Sequence, residues 1–199
     1  MPYYKDINTL FIHIPKTGGT SLEDYLKSKN KQTLFSGYTN NIMPPKELKK
    51  ISLQHQLYKD IFKFRDILGV NFNNIKIIAI VRNPYDRLVS DLFFYNLIKP
   101  DDKPHKVTEV IKTYLNRKDL DNHNIPQYKF ICDEKGNVNK NIHIFKTETL
   151  TKELHAYGFT DYIGKNDSKH YMQYLNKESI SLINNYYKID FLLFNYLMV

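Results

Sequence analysis

The sequence contains a single cysteine and no long apolar run. With one cysteine, the chain can form neither an internal disulfide nor a zinc site built from several cysteines. We therefore expect Cys132 to be a small core residue. No apolar stretch approaches the roughly 18 residues that a membrane-spanning helix needs. No charged segment followed by an apolar one precedes the first predicted strand. We therefore expect a soluble, cytoplasmic protein without a membrane segment.

Internal repeats and low-complexity linkers are also lacking. The 199 residues are 42% hydrophobic, so we expect one domain, residues 1–199, with a substantial core. The formal net charge of +8 favours an anionic partner, which includes a phosphorylated cofactor, an acidic glycan or a nucleic acid. No group of His, Asp and Glu residues has the spacing of metal ligands, so we expect no metal.

One segment near the start has the pattern of an anion-binding loop. The apolar run 10–14 predicts a buried strand, and Pro15 and two glycines predict the turn that follows it. Glycine lets an anion approach the backbone closely, and the N-terminus of the next helix attracts negative charge. The residues that we expect to hold a phosphate or sulfate are Lys16, Thr17, Gly18, Gly19, Thr20 and Ser21, the last two as helix caps. The lysine precedes the glycines, unlike in the nucleoside-triphosphate P-loop, which disfavours a kinase.

Alternation of strand and helix patterns predicts the fold class. Segment 50–55 alternates as a short strand does, and a helical pattern follows until Gly69. Residues 75–81 form the most apolar and β-branched run, which is typical of a central strand. A further strand is predicted at 142–145. The expected architecture is α/β, with a P-loop-like central parallel sheet flanked by helices.

Four polar residues are expected to share one edge of this sheet. Lys16, His55, Arg82 and Ser90 follow predicted strand ends or lie on the next helix. Ligands of parallel sheets bind beyond the carboxyl ends of the strands. The sequence therefore predicts that these side chains form one site. Neighbouring Asp86 and Arg87 are interpreted as a helix-surface ion pair.

Two motifs together resemble those of sulfotransferases that use 3′-phosphoadenosine 5′-phosphosulfate (PAPS). Pro15–Ser21 resembles the family's 5′-phosphosulfate loop, and Arg82–Ser90 resembles its 3′-phosphate motif, with arginine and serine eight positions apart. The resemblance is closest to the carbohydrate branch that includes the heparan and chondroitin sulfotransferases. It implies PAPS as donor, 3′-phosphoadenosine 5′-phosphate (PAP) as product, no metal, and a saccharide or glycan hydroxyl as acceptor.

The resemblance also implies roles for individual residues. Lys16 would stabilise the leaving phosphate, and Arg82 with Ser90 would bind the 3′-phosphate. Ser168 and Lys169 lie in a segment that resembles the family's late nucleotide-contacting loop. Gln127, in a segment 127–132 that is predicted to be extended, would face the acceptor.

His55 is the candidate general base. An ordinary imidazole, with a pKa of about 6.5, suits proton removal at neutral pH. A Glu or Asp between residues 37 and 47 is the alternative base. His13, within the first predicted strand, is interpreted as a structural histidine.

Two other functions are compatible with parts of the sequence. A nucleotide kinase-like phosphotransferase can use the same fold, and a basic nucleotide- or nucleic-acid-binding module would explain the charge and the 16 tyrosines. No basic-aromatic repeat is present and the lysines are scattered, so no nucleic-acid partner is expected.

Overall fold

The computed structural model describes residues 1–30, 45–48, 50–164 and 171–199. The strands are β1 (Tyr3–Tyr4), β2 (Thr9–Ile12), β3 (Lys76–Val81) and β4 (Ile142–Lys146). The α-helices are α1 (Gly19–Lys29), α2 (Tyr58–Lys63), α3 (Pro84–Phe94), α4 (Pro104–Leu115), α5 (Leu150–Tyr157), α6 (Lys177–Tyr186) and α7 (Lys188–Leu193). None of the helices in these four ranges is long and apolar enough to cross a membrane.

The four strands form one mixed sheet in the order β1-β2-β3-β4. β2, β3 and β4 are parallel, whereas β1 pairs with β2 in the antiparallel direction. The α/β prediction is confirmed, with one antiparallel edge strand that the sequence did not indicate. The parallel strands place the loops after Ile12, Val81 and Lys146 at one edge of the sheet.

β3 is one of the two inner strands of the sheet, in agreement with its composition. Successive side chains point to opposite faces of the sheet. Ile77, Ala79 and Val81 belong to an apolar cluster on one face, and Ile78 and Ile80 belong to a second cluster on the other face. Both faces of the strand are therefore covered.

A third apolar cluster joins the helices of the second half of the chain. Val89 and Ile111, on α3 and α4, are fully buried in it with Ile183 and Phe191 of α6 and α7. Pro84 occupies the first turn of α3, where its missing N–H costs nothing. Phe194, after α7, is buried in the first cluster, so the C-terminal segment packs on the core.

Two predicted extended segments are not strands. In segment 50–55, residues Leu53–His55 form a 3₁₀ turn. β2 and β3 pair directly, so no strand lies between them, and the side chains of Gln54 and His55 bond to the distant Glu23 and Asp121. Residues Gln127–Ile131 form another 3₁₀ helix, whose first two N–H groups donate to the carboxylate of Asp190 at 2.7 and 2.9 Å. A short alternating pattern fits both structures, so periodicity could not separate them.

Arg87 is buried and bonds to three backbone carbonyls. Its guanidinium donates to the oxygens of Pro15 at 3.0 Å, Ile125 at 3.0 Å and His123 at 2.5 Å. Asp86 is buried as well and accepts from the N–H of Tyr171. The prediction of a surface ion pair is therefore wrong, since Arg87 instead joins the loop after β2 to the segment before Gln127.

We expect Arg87→Lys to lower the free energy of unfolding by about 2–4 kcal/mol. Lysine keeps the charge but cannot reproduce the fork that satisfies three buried carbonyls. Urea unfolding measures the change. Arg65→Lys, on an exposed side chain that donates to one carbonyl, is the matched control and should change stability little. Equal small effects of both substitutions would contradict the role of Arg87.

Candidate functional site

The loop between β2 and α1 has the geometry of an anion cradle. Lys16 and Gly18 are both in the left-handed region, with φ of 64° and 84°. Gly18 is the N-cap of α1, so Thr20 and Ser21 lie in the first turn rather than capping it. The N–H groups of a first helical turn have no partners within the helix, and the helix dipole is positive there. An anion at this turn meets unpaired donors and a favourable field.

A steric constraint, and not a left-handed backbone, requires glycine at position 19. A Cβ on this residue would lie 2.7 Å from Nε2 of His13, so only glycine lets α1 begin against the imidazole. His13 is buried and its Nδ1 bonds to Glu23 of α1. Gln54 donates to the same carboxylate oxygen at 2.8 Å. His13 therefore packs against the first residue of α1 and bonds to the same helix, in agreement with a structural histidine.

Hydroxyl groups hold the loop to the strand ends. The side chain of Thr17, fully buried, donates to the carbonyl of Ile14 at 2.8 Å. Thr147, after β4, donates to the carbonyls of Thr17 at 2.7 Å and Val81 at 3.0 Å. The Thr17 hydroxyl is thus occupied by loop structure, and its backbone remains the part that can contact a ligand.

Arg82 follows β3 and approaches the same loop. Its Nη1 donates to the carbonyl of Lys16 at 3.3 Å. Its backbone is paired twice with Gln127, whose Oε1 accepts at 2.9 Å and whose Nε2 donates at 2.9 Å. Gln127 is fully buried, so it positions Arg82 rather than facing an acceptor, and the sequence-based role is corrected.

A cleft of about 510 Å³ joins the loop to Arg82. Its walls include Gly18, Thr20, Ser21 and Arg82, with residues 147–152 from the end of β4 and the start of α5. This volume is in the range of small-molecule sites. Tyr162 closes one side, and its hydroxyl lies 2.6 Å from Oγ of Ser21. Two sequence-predicted elements, the loop and Arg82, therefore share one cleft.

Other predicted contacts lie outside this cleft. Lys16, Thr17 and Gly19 form its loop without lining it, and Ser90 is half-buried on α3. Ser168 and Lys169 fall outside the described residues. Glu47, which is the one carboxylate between residues 37 and 47 and so the alternative base, is exposed in the 3₁₀ helix Lys46–Leu48.

Lys16 is partly desolvated. Burial lowers the pKa of its ammonium, and Arg82 lowers it further, although Asp91 opposes the shift. Nζ lies 4.4 Å from the centroid of the Phe94 ring. The side chain is thus held between an aromatic face and the loop from which it comes.

His55 is held by a carboxylate in a largely buried position. Its Nδ1 lies 2.8 Å from Oδ2 of Asp121. Burial lowers the pKa of His55 to about 4; the hydrogen bond to Asp121 opposes this, and the imidazoles of His13 and His123 add to it. Those rings lie 5.5 and 4.8 Å from His55, centroid to centroid. His55 is therefore neutral at physiological pH and able to accept a proton.

His123 is a residue of this site that sequence reasoning missed. It bonds through Nδ1 to the buried Asp91 at 2.7 Å, and Asp91 also accepts from Tyr114. One ligand atom each from His55, Asp121 and His123 lies within 4.8 Å of the others, so the three can hold a metal ion. The short Asp-x-His spacing was visible, but only the fold brings His55 beside it. The absence of a metal stays a prediction.

Comparison with known proteins identifies the family. A family model described as the sulfotransferase family matches residues 4–197. Curated proteins and solved structures gave no significant match. The match spans the strand, the loop, Arg82 and the C-terminal helices, and it agrees with the observed sheet. The chain belongs to the sulfotransferase family.

Proposed function

We propose that this protein transfers the sulfuryl group of PAPS to a hydroxyl group of a carbohydrate acceptor. The observation that carries the proposal is the single cleft shared by the anion-binding loop and Arg82. A donor with phosphate groups on both the 3′ and the 5′ position of its ribose needs two separate anion sites in one cleft. Membership of the sulfotransferase family supports the reaction class.

The loop and Arg82 have distinct roles in this proposal, to which Lys16 and Ser90 contribute from outside the lining of the cleft. The first turn of α1 and residues Lys16–Ser21 bind the 5′-phosphosulfate through backbone N–H groups and hydroxyls. Arg82 binds the 3′-phosphate with two parallel hydrogen bonds, and Ser90 adds a hydroxyl. A nucleotide contact by Ser168 and Lys169 stays a prediction, because both fall outside the described residues.

The chemical step moves charge onto the donor phosphate. The acceptor oxygen forms a bond to sulfur as the bond from sulfur to the bridging oxygen breaks, and that electron pair stays on PAP. Lys16 stabilises the developing negative charge with its ammonium. The acceptor proton goes to the neutral imidazole of His55. Positioning and electrostatics supply the catalysis, and the proposal includes no metal.

A transfer assay tests this function directly. Purified protein is incubated with ³⁵S-labelled PAPS and either desulfated heparin or desulfated chondroitin, with and without EDTA, and in parallel with γ-labelled Mg-ATP. We expect label on a saccharide from PAPS only, and no effect of EDTA. Label from ATP would indicate a phosphotransferase. Loss of activity in EDTA that Zn²⁺ restores would assign His55, Asp121 and His123 to a metal.

We expect Lys16→Ala to lower kcat by about 10²-fold or more while the Kd for PAP changes by less than about tenfold. The charge that Lys16 stabilises develops only as sulfate departs. The substitution should therefore weaken the binding of PAP less than it lowers kcat. Transfer kinetics and calorimetric titration with PAP measure the two quantities. Lys27→Ala, on the exposed face of α1, is the matched control. Equal losses in both quantities would leave Lys16 a binding residue only.

The low pKa of His55 predicts an unusual pH profile. A base with a pKa near 4 is neutral above about pH 5, so kcat at saturating PAPS should stay level from pH 7.5 to 5.5. An ordinary histidine, with a pKa of about 6.5, would keep only about a tenth of its free base at pH 5.5. A decline in kcat with a midpoint near 6.5 would contradict the environment assigned to His55.

A further inference from the structure

The loop that contacts His55 contains two consecutive residues in the left-handed region. Asp121 and Asn122 have φ of 48° and 65°. Non-glycine residues adopt this conformation at a cost, which Asp and Asn tolerate best, and it persists where the surrounding structure over-determines it. The loop is therefore held in a specific shape.

Three hydrogen bonds join this loop to the segment that carries His55. The N–H of Ser52 donates to Oδ1 of Asp121 at 2.6 Å, and His55 Nδ1 lies 2.8 Å from Oδ2. The amide of Asn122 donates to the carbonyl of His55 at 3.0 Å. Both oxygens of the carboxylate are thus engaged, one by the backbone and one by the imidazole.

The ionisation of Asp121 decides which nitrogen of His55 carries the proton. Burial would raise the pKa of Asp121, but the hydrogen bonds from His55 and Ser52 outweigh it and hold the pKa below the usual range. An ionised carboxylate only accepts hydrogen bonds. Nδ1 of a neutral His55 must therefore donate, which leaves the lone pair on Nε2.

The loop is also anchored to the donor side of the site. Arg87 donates to the carbonyls of His123 and Ile125, just after Asp121, and to Pro15 at the start of the anion-binding loop. The carboxylate that orients His55 is thus connected to the donor cradle through one buried side chain.

We propose that Asp121 is a positioning residue for the transfer reaction, which fixes His55 in the tautomer that keeps Nε2 free for the acceptor proton. This proposal rests on the proposed function. When the proton arrives, the charged groups and imidazoles that face His55 are Asp121, His13 and His123. Of these, only Asp121 stabilises the imidazolium. Asp121 therefore both orients the ring of His55 and offsets the positive charge that the ring gains.

Asp121→Asn is the variant that separates positioning from structure. The asparagine carbonyl can still accept from the N–H of Ser52, which preserves the loop. Its NH₂ group then faces Nδ1 and donates to it, so the proton of His55 moves to Nε2. Asp119→Asn is the matched control. Asp119 lies two residues before Asp121, its side chain is exposed and pairs with Arg117, and the substitution removes the same charge.

Two measurements are made on wild type and both variants. ¹⁵N NMR of histidine-labelled protein reports which nitrogen of His55 is protonated, and we expect Nδ1 in wild type and Nε2 in Asp121→Asn. Transfer from PAPS to desulfated heparin or chondroitin should show kcat reduced by about 10²-fold or more, with the KM for PAPS within about threefold. The melting temperatures of the two variants should be similar.

Several outcomes would overturn the proposal. These are an Nε2 proton in wild type, a kcat of Asp121→Asn close to that of Asp119→Asn, or parallel losses in kcat, PAPS affinity and melting temperature. A wild-type protein that transfers no sulfuryl group would overturn the proposed function and the positioning role with it. In that case the NMR result still decides whether Asp121 sets the tautomer, so the two failures are distinguishable.

Discussion

The contacts of the buried Arg87 guanidinium set the geometry of the site. It binds the carbonyl of Pro15, where the donor loop begins, and the carbonyls of His123 and Ile125, beyond the loop that orients His55. A planar fork with several donors can satisfy acceptors from separate segments, which a lysine cannot. One side chain of α3 therefore holds the candidate anion-binding loop and the candidate base in a fixed relation.

Around this connection the protein places three histidines, each with its own carboxylate. The pairs are His13 with Glu23, His55 with Asp121, and His123 with Asp91. The same motif has different consequences in each place. The first pair supports the start of α1, the second orients His55 in a buried position that disfavours its charge, and the third adds a further imidazole that disfavours a charged His55. Because the cluster is buried, each carboxylate affects the orientation and the charge of its own histidine.

The sequence predicted the parts of the structure that depend on local chemistry. The strand, glycine and helix order located the loop, the apolar run located β3, and the strand end located Arg82. It could not predict the irregular segment before α2, where short alternation fits a strand and a 3₁₀ turn equally. It also missed Asp121 and His123, because contacts between residues 66 or more positions apart leave no periodicity in the chain. Arg87 looked exposed for the same reason, since its partners are backbone carbonyls.

Nucleotide affinity decides whether one cleft holds two phosphate groups. Calorimetric titration of the wild-type protein with PAP and with AMP, which lacks the 3′-phosphate, compares the two ligands. We expect at least about tenfold tighter binding of PAP, because its 3′-phosphate accepts charge-assisted hydrogen bonds from Arg82, and loss of this preference in Arg82→Ala. Equal affinities of the wild-type protein for PAP and AMP would contradict a cleft that holds both phosphates.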